Sequence, residues 1–237
     1  MTDSCLTQLF TRLQGGLVVS CQPLDGSAMD TPDIIVAMAR AAMAGGATAL
    51  RIEGADHVRA VAQALPEAVI IGIVKRDLHG SPVRITPYID DVHALAVAGA
   101  AIIAFDGTAR PRPFPVATLL AAVRAAGKAA MADCSTLEDG LACHALGCDL
   151  VGTTLSGYTD DTAYLPADRP NTMLIAQLAQ RGVRVMAEGR IRTPGDAADC
   201  LRAGACCVTV GSAITRIEHI TEWFATALGR APAGSEA

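Results

Sequence analysis

The sequence predicts an α/β fold, a (β/α)8 TIM barrel of the phosphate-binding type. Three observations carry this reading. Eight short apolar runs alternate with eight helical stretches, and eight such units within ~250 residues match the barrel. Four of the runs are entered through a small-residue break centred on glycine, repeated about every 50 residues. A charged side chain also closes most of the runs. Charge is costly in an apolar core, so its recurrence at one end of successive strands implies a shared mouth. A doubly wound open sheet is the other architecture weighed, but it seldom needs eight such regular units.

In chain order, strands are expected at 17–20, 48–52, 69–74, 101–105, 129–132, 149–152, 183–187 and 206–210. Helices are expected at about 32–44, 55–64, 89–98, 115–126, 136–146, 171–181, 194–203 and 215–229. Ser135-Thr136-Leu137-Glu138 and Thr193-Pro194 are helix-start signals. The breaks are Ala44-Gly45-Gly46-Ala47, Ala98-Gly99-Ala100, Leu146-Gly147-Cys148 and Ala203-Gly204-Ala205. A glycine there ends the helix in the left-handed conformation, and the chain turns directly into a strand.

Composition agrees. Of 237 residues, 51 % are hydrophobic and only 3 % aromatic. The core is therefore Ala, Val, Ile and Leu, which suits helices packed closely on a parallel sheet. No linker splits the chain, so residues 1–237 are read as one domain, with a helical N-terminal segment at 1–15 and a frayed tail at 231–237. A net charge of −5 without a basic tract speaks against nucleic-acid and membrane partners. No run approaches ~18 apolar residues, so no membrane span is expected, and the acidic Asp3 is foreign to a signal peptide. Eight cysteines without a C-x-x-C pair read as reduced, buried thiols of a cytoplasmic protein. The five histidines show no metal spacing, and no metal is expected.

The charged strand ends are Arg51, Lys75, Asp106, Asp133 and Glu188. In a barrel the active site lies at the C-terminal ends of the strands. Only two lysines, Lys75 and Lys128, stand among nineteen Lys and Arg residues, so a lysine at a strand end points to amine chemistry. It is either a proton-transfer base or a Schiff-base former. A base at pH 7 needs its pKa pulled below the usual ~10.4. Desolvation and a cation such as Arg51 act in that direction, and carboxylates oppose it. Glu188 and Asp133 share the mouth with Lys75, either as acid/base partners or as an ion-pair network. Asp106, followed by Gly107-Thr108, either serves the site or caps its loop.

Gly189-Arg190 after strand 7 and Gly211-Ser212 after strand 8 suit phosphate, with Arg216 adding charge. Gln22 after strand 1 either binds substrate or caps its turn. The hydroxyl-rich stretch 153–159, with Thr153 and Tyr158, either contacts a sugar or forms a plain loop. Arg110-Pro111-Arg112-Pro113 is a rigid basic loop, either a lid or an oligomer contact.

Several segments together, over roughly residues 10–225, resemble the N-acetylmannosamine-6-phosphate 2-epimerase family. They are Gly16-Leu17-Val18-Val19-Ser20-Cys21-Gln22, Gly72-Ile73-Val74-Lys75, Ile85-Thr86-Pro87, Arg110-Pro111-Arg112-Pro113 and Met131-Ala132-Asp133-Cys134-Ser135-Thr136. Residues 151–159, Ala187-Glu188-Gly189-Arg190-Ile191 and Val210-Gly211-Ser212-Ala213-Ile214-Thr215-Arg216 complete the set. The resemblance implies a cofactor-free epimerase of sialic acid catabolism, acting on N-acetyl-D-mannosamine 6-phosphate and N-acetyl-D-glucosamine 6-phosphate, usually a homodimer. It implies that Lys75 transfers the C2 proton with help from Glu188, and that Asp133 and Arg51 line the sugar site. Gly107 departs from the alanine usual in the family. A Schiff-base aldolase and a catalytically silent sugar-phosphate-binding barrel are the competing readings.

Overall fold

The computed structural model describes residues 2–230. Eight parallel strands close on themselves in sequence order, each hydrogen-bonded to the next and the last to the first. They are β1 (Gly16–Cys21), β2 (Ala49–Glu53), β3 (Ile70–Ile73), β4 (Ile102–Asp106), β5 (Ala129–Asp133), β6 (Leu150–Gly152), β7 (Val185–Ala187) and β8 (Cys207–Val210). The helices are α1 (Asp3–Leu13), α2 (Pro32–Ala44), α3 (Ala55–Ala64), α4 (Ile89–Ala98), α5 (Val116–Ala125) and α6 (Leu137–Leu146). After them come α7 (Thr172–Ala179), α8 (Pro194–Arg202), the short α9 (Ser212–Thr215) and α10 (Ile217–Ala227). The fold is the expected (β/α)8 barrel, and α1 lies within the N-terminal segment expected to be helical. The tail expected to fray at 231–237 lies outside the described residues.

Local chemistry explains the elements. Thr136 and Thr193 each accept the N–H of the residue three positions on, and Asp139 and Asp196 complete capping boxes that start α6 and α8. Gly46, Gly99, Gly147 and Gly204 all have positive φ, from 99° to 109°, as the breaks require. The expected helix at 215–229 is shorter and divided: the backbone at Arg216 leaves helical geometry, separating α9 from α10.

The two-residue period of each strand sorts its side chains into two cores. Val18, Ala49, Ile71, Ile73, Ile102, Ala104, Ala129, Met131, Leu150, Met186 and Cys207 fill the barrel. Val19, Leu50, Ile52, Ile70, Ile103, Phe105, Ala130, Ala132, Val151, Val185, Ala187, Val208 and Val210 pack outward against the helices. At the N-terminal end of the barrel, Leu9, Phe10 and Leu13 of α1 join the inner cluster. Arg184 stacks on the Phe10 ring with the guanidinium carbon 4.0 Å from its centroid, which helps hold this plug. The chemistry is left to the opposite end.

Candidate active site

The same period carries a line of polar groups into the barrel above its apolar filling. Ser20 and Gln22 continue the inward positions of β1, Arg51 that of β2, and Lys75 follows Ile71 and Ile73. Asp106, Asp133, Thr154, Glu188, Thr209 and Gly211 do the same on the remaining strands. Above them opens a cavity of about 660 Å³, within the range of small-molecule sites.

Arg51 stands at the centre of the floor, only 1 % exposed. It lies inside β2, two residues before its end, which corrects the expectation that it closes the strand. Its guanidinium makes a bidentate contact with Asp133, at 3.1 Å to Oδ1 and 2.6 Å to Oδ2. It also approaches Glu188 Oε2 at 3.0 Å, but that oxygen has no hydrogen-bond partner, so the approach is electrostatic rather than directional. Thr154 donates a short hydrogen bond to Asp133 Oδ1.

These contacts divide the labour. Asp133 is spent on Arg51 and Thr154 and is fully buried, so it orients Arg51 rather than lining the cavity as a substrate contact. Burial pushes the Glu188 carboxyl up to about 7, and the charge of Asp133 adds to the rise; Arg51, Lys75 and the Thr154 hydroxyl hold it down. A carboxyl so poised exchanges a proton near neutrality.

Lys75 sits just beyond β3, where its N–H is accepted by Glu53 Oε1 at 3.1 Å. Burial lowers its pKa, and the positive Arg216 and Arg51 lower it further; Glu53 and Asp25 pull the other way. The amine is thus shifted in the direction a neutral base needs.

Lys75, Glu188, Gln22, Arg51, Tyr158, Gly189, Arg190, Gly211, Ser212 and Arg216 all line the cavity. Thr153 does not. It lies on the outward parity of β6, where its hydroxyl donates to the Glu188 carbonyl at 3.0 Å and accepts the Glu188 N–H at 3.1 Å. It ties strand end to strand end, and its neighbour Thr154 takes the inward place. Arg190 is held in the left-handed region at φ 59°. Its guanidinium donates to the carbonyls of Gly157, Leu165 and Pro166 and lies 4.9 Å from the centroid of the Tyr158 ring. That side chain locks two loops together, whereas Arg216, also in the lining, spends only Nε, on the Gln22 carbonyl at 2.9 Å.

Asp106 both lines the cavity and caps its loop. It accepts the Thr108 N–H and hydroxyl and the Arg110 guanidinium. Gly107 has a local reason: a Cβ there would lie 2.9 Å from Ala132 Cβ and from the sulfurs of Cys134 and Cys143. In the hydroxyl-rich loop, Thr159 and Thr162 close onto Ser135 at 2.6 and 2.8 Å, leaving Thr154, Leu155 and Tyr158 to reach the cavity. Sequence reasoning missed Ser20, Thr209, His219 and Trp223 as wall residues, and from the stretch 153–159 it singles out Thr153 where Thr154 lines the cavity. The inward parity of β1, β6 and β8 is a usable signal for Ser20, Thr154 and Thr209; nothing local marks His219 and Trp223.

Comparisons with known proteins place the whole chain among named relatives. The family described as "Putative N-acetylmannosamine-6-phosphate epimerase" matches residues 35–230. Relatives of that name, "Putative N-acetylmannosamine-6-phosphate 2-epimerase", are 57 % identical in Shigella dysenteriae serotype 1 and 56 % identical in Escherichia coli K12, each over 96 % of this chain and 99 % of the relative. The solved N-acetylmannosamine-6-phosphate 2-epimerase from Clostridium perfringens superposes with a TM-score of 0.88 at 37 % identity, covering 92 % of this chain and 96 % of that one.

Proposed function

The chain belongs to the N-acetylmannosamine-6-phosphate epimerase family, and from that premise we infer that it interconverts N-acetyl-D-mannosamine 6-phosphate and N-acetyl-D-glucosamine 6-phosphate. The observation that carries the mechanism is a half-buried lysine and a half-buried carboxyl lining one cavity, the lysine's pKa lowered and the carboxyl's raised to about 7.

In the open-chain sugar the C2–H is α to the C1 aldehyde. Neutral Lys75 takes that proton, the C2 electron pair delocalises onto O1, and an enolate forms. Arg51, held in place by Asp133, lies where it can stabilise the developing oxyanion. Glu188 returns a proton to the opposite face of C2, directly or through a substrate hydroxyl, and the configuration inverts. One proton leaves and one arrives, so the step needs no electron acceptor and no cofactor. Gly189, Gly211, Ser212 and Arg216 suit the 6-phosphate, whose binding energy holds C2 between the two groups. Gln22 and Tyr158 wall the sugar between them.

A role in sialic acid catabolism is the reading the substrate supports, and eight unpaired cysteines support a reducing compartment such as the cytoplasm. Among the described residues no helix is long and apolar enough to cross a membrane. A homodimer is supported by α10, none of whose residues is buried.

The test is to incubate the protein with N-acetylmannosamine 6-phosphate in D2O and follow C2–H by NMR. Loss of the signal, with deuterated N-acetylglucosamine 6-phosphate appearing, is expected. Lys75→Ala is expected to abolish both while still binding the sugar phosphate. Exchange that persists in that variant would remove Lys75 from the mechanism. Borohydride trapping of substrate on Lys75 would replace epimerisation by Schiff-base chemistry.

A further inference from the structure

Lys75 lies outside the regular ladder, since β3 ends at Ile73 and the lysine belongs to an isolated antiparallel bridge with Ile85. Its main chain is therefore held by other means. The Val74 N–H is accepted by Thr86 Oγ1 at 3.2 Å, and the Arg76 N–H by the Arg84 carbonyl at 2.9 Å. Between them, the Lys75 N–H has one acceptor, Glu53 Oε1 at 3.1 Å.

Glu53 is itself fixed. It is the last residue of β2, paired in register with Ile73. Its carbonyl meets His57 Nδ1 at 3.1 Å, and the next N–H, that of Gly54, is accepted by the Ile73 carbonyl at 2.9 Å. A small hollow behind the lysine is lined by Asp25, Asp30, Glu53, His57 and Lys75.

We propose that Glu53 is the positioning residue for Lys75: from the end of β2 its carboxylate clamps the lysine's main chain and, with Asp25, places negative charge beside the lysine. The inference rests on the reading of Lys75 as the C2 base. The reason is geometric. A lysine side chain has four rotatable bonds, and a base must hold its nitrogen near the reacting proton. Anchoring the main chain removes one source of drift. The charged groups acting on the amine are Arg216, Arg51, Glu53, Asp25 and Glu188, and Asp30 and His57 line the hollow with it. Among the described carboxylates, Glu53 is the one hydrogen-bonded to the lysine's own residue.

Two variants separate the clamp from the charge. Glu53→Gln keeps an Oε1 acceptor and removes the charge; Glu53→Ala removes both. Glu53→Ala is expected to lower kcat roughly 10–100-fold, the effect of a misplaced catalytic group, with KM little changed. Glu53→Gln keeps the clamp and is expected to lower kcat far less than Glu53→Ala does. It should also shift the Lys75 titration midpoint to lower pH, because a neighbouring negative charge is gone. That midpoint is readable directly: protein labelled on lysine with 13C and 15N gives side-chain signals from Lys75 and Lys128 alone. A purely structural residue would leave the midpoint in place. Wild-type kcat in Glu53→Ala, or an unmoved Lys75 midpoint in Glu53→Gln, overturns the proposal. Lys75→Ala in the same assay keeps the two readings distinct. If it stays active, the base assignment fails; if it is dead while Glu53→Ala is unimpaired, only the clamp fails.

Discussion

At the scale of single residues, the site is one buried cation shared between two carboxylates with different tasks. Asp133 takes the directional contacts of Arg51, and Glu188 is left with an unbonded oxygen. That division has a stability cost with a definite sign. The folded pKa of Glu188, about 7, lies above its ordinary 4.5. The unfolded chain therefore ionises first, and stability falls as pH rises from 4.5, the loss being complete above about 7. Glu188→Gln cannot ionise. It is expected to abolish turnover and yet stabilise the protein at pH 8 by on the order of 2 kcal/mol relative to wild type, with no gain at pH 4. Thermal melts at the two pH values check this, and an equal difference at both would refute the assignment of a strained, functional carboxyl.

At the scale of elements, two glycines with different tasks give opposite expectations for the same substitution. Gly46 ends α2's turn into β2 at φ 99°, with nothing within 4 Å of a hypothetical Cβ. Gly46→Ala is expected to cost about 1 kcal/mol of stability, from the left-handed backbone alone, with kcat unchanged. Gly152 lies on the inward parity of β6. A Cβ there would collide with Met131 Cε and lie 2.9 Å from Thr154 Oγ1 and 3.0 Å from Asp133 Oδ1. Gly152→Ala therefore pushes on the group that orients Arg51, and it is expected to lower kcat by roughly 100-fold. Denaturation midpoints and steady-state kinetics on the pair test the distinction. Equal kinetic effects would show that the inner layer of β6 does not position the site.

At the scale of the molecule, the barrel separates stability from chemistry along its axis. One end is plugged by Leu9, Phe10 and Leu13, and the other is left polar. The last element is not absorbed into this plan. Ile217, Phe224 and Leu228, on and just beyond α10, are 54, 70 and 78 % exposed, while Trp223 and His219 of the same helix reach the cavity wall. An apolar face of this kind is what a homodimer would cover. If α10 is the face of the proposed homodimer, wild type is expected to sediment as a dimer and the protein with Phe224 and Leu228 both replaced by Glu as a monomer. A dimer unchanged by both substitutions would place the interface elsewhere.

Much of the architecture was legible in the sequence because it rests on local chemistry. The eight apolar runs, the glycine breaks and the Thr136 and Thr193 caps each require only neighbouring residues, and strand parity places Lys75, Glu188 and Arg51 on one interior. The resemblance in ordered motifs added the substrate. What required the tertiary structure was the distribution of partners. Arg51 was read as a strand end because its run is short, yet pairing with β1 and β3 extends β2 to Glu53. The expected strand stops at Gly152, and only carrying its parity past that end distinguishes inward Thr154 from Thr153. Arg190 could not be known to serve carbonyls 24 to 33 positions earlier, and Glu53 could not be known to hold Lys75. Such contacts join residues distant in sequence, and only closure of the barrel brings them within hydrogen-bonding range.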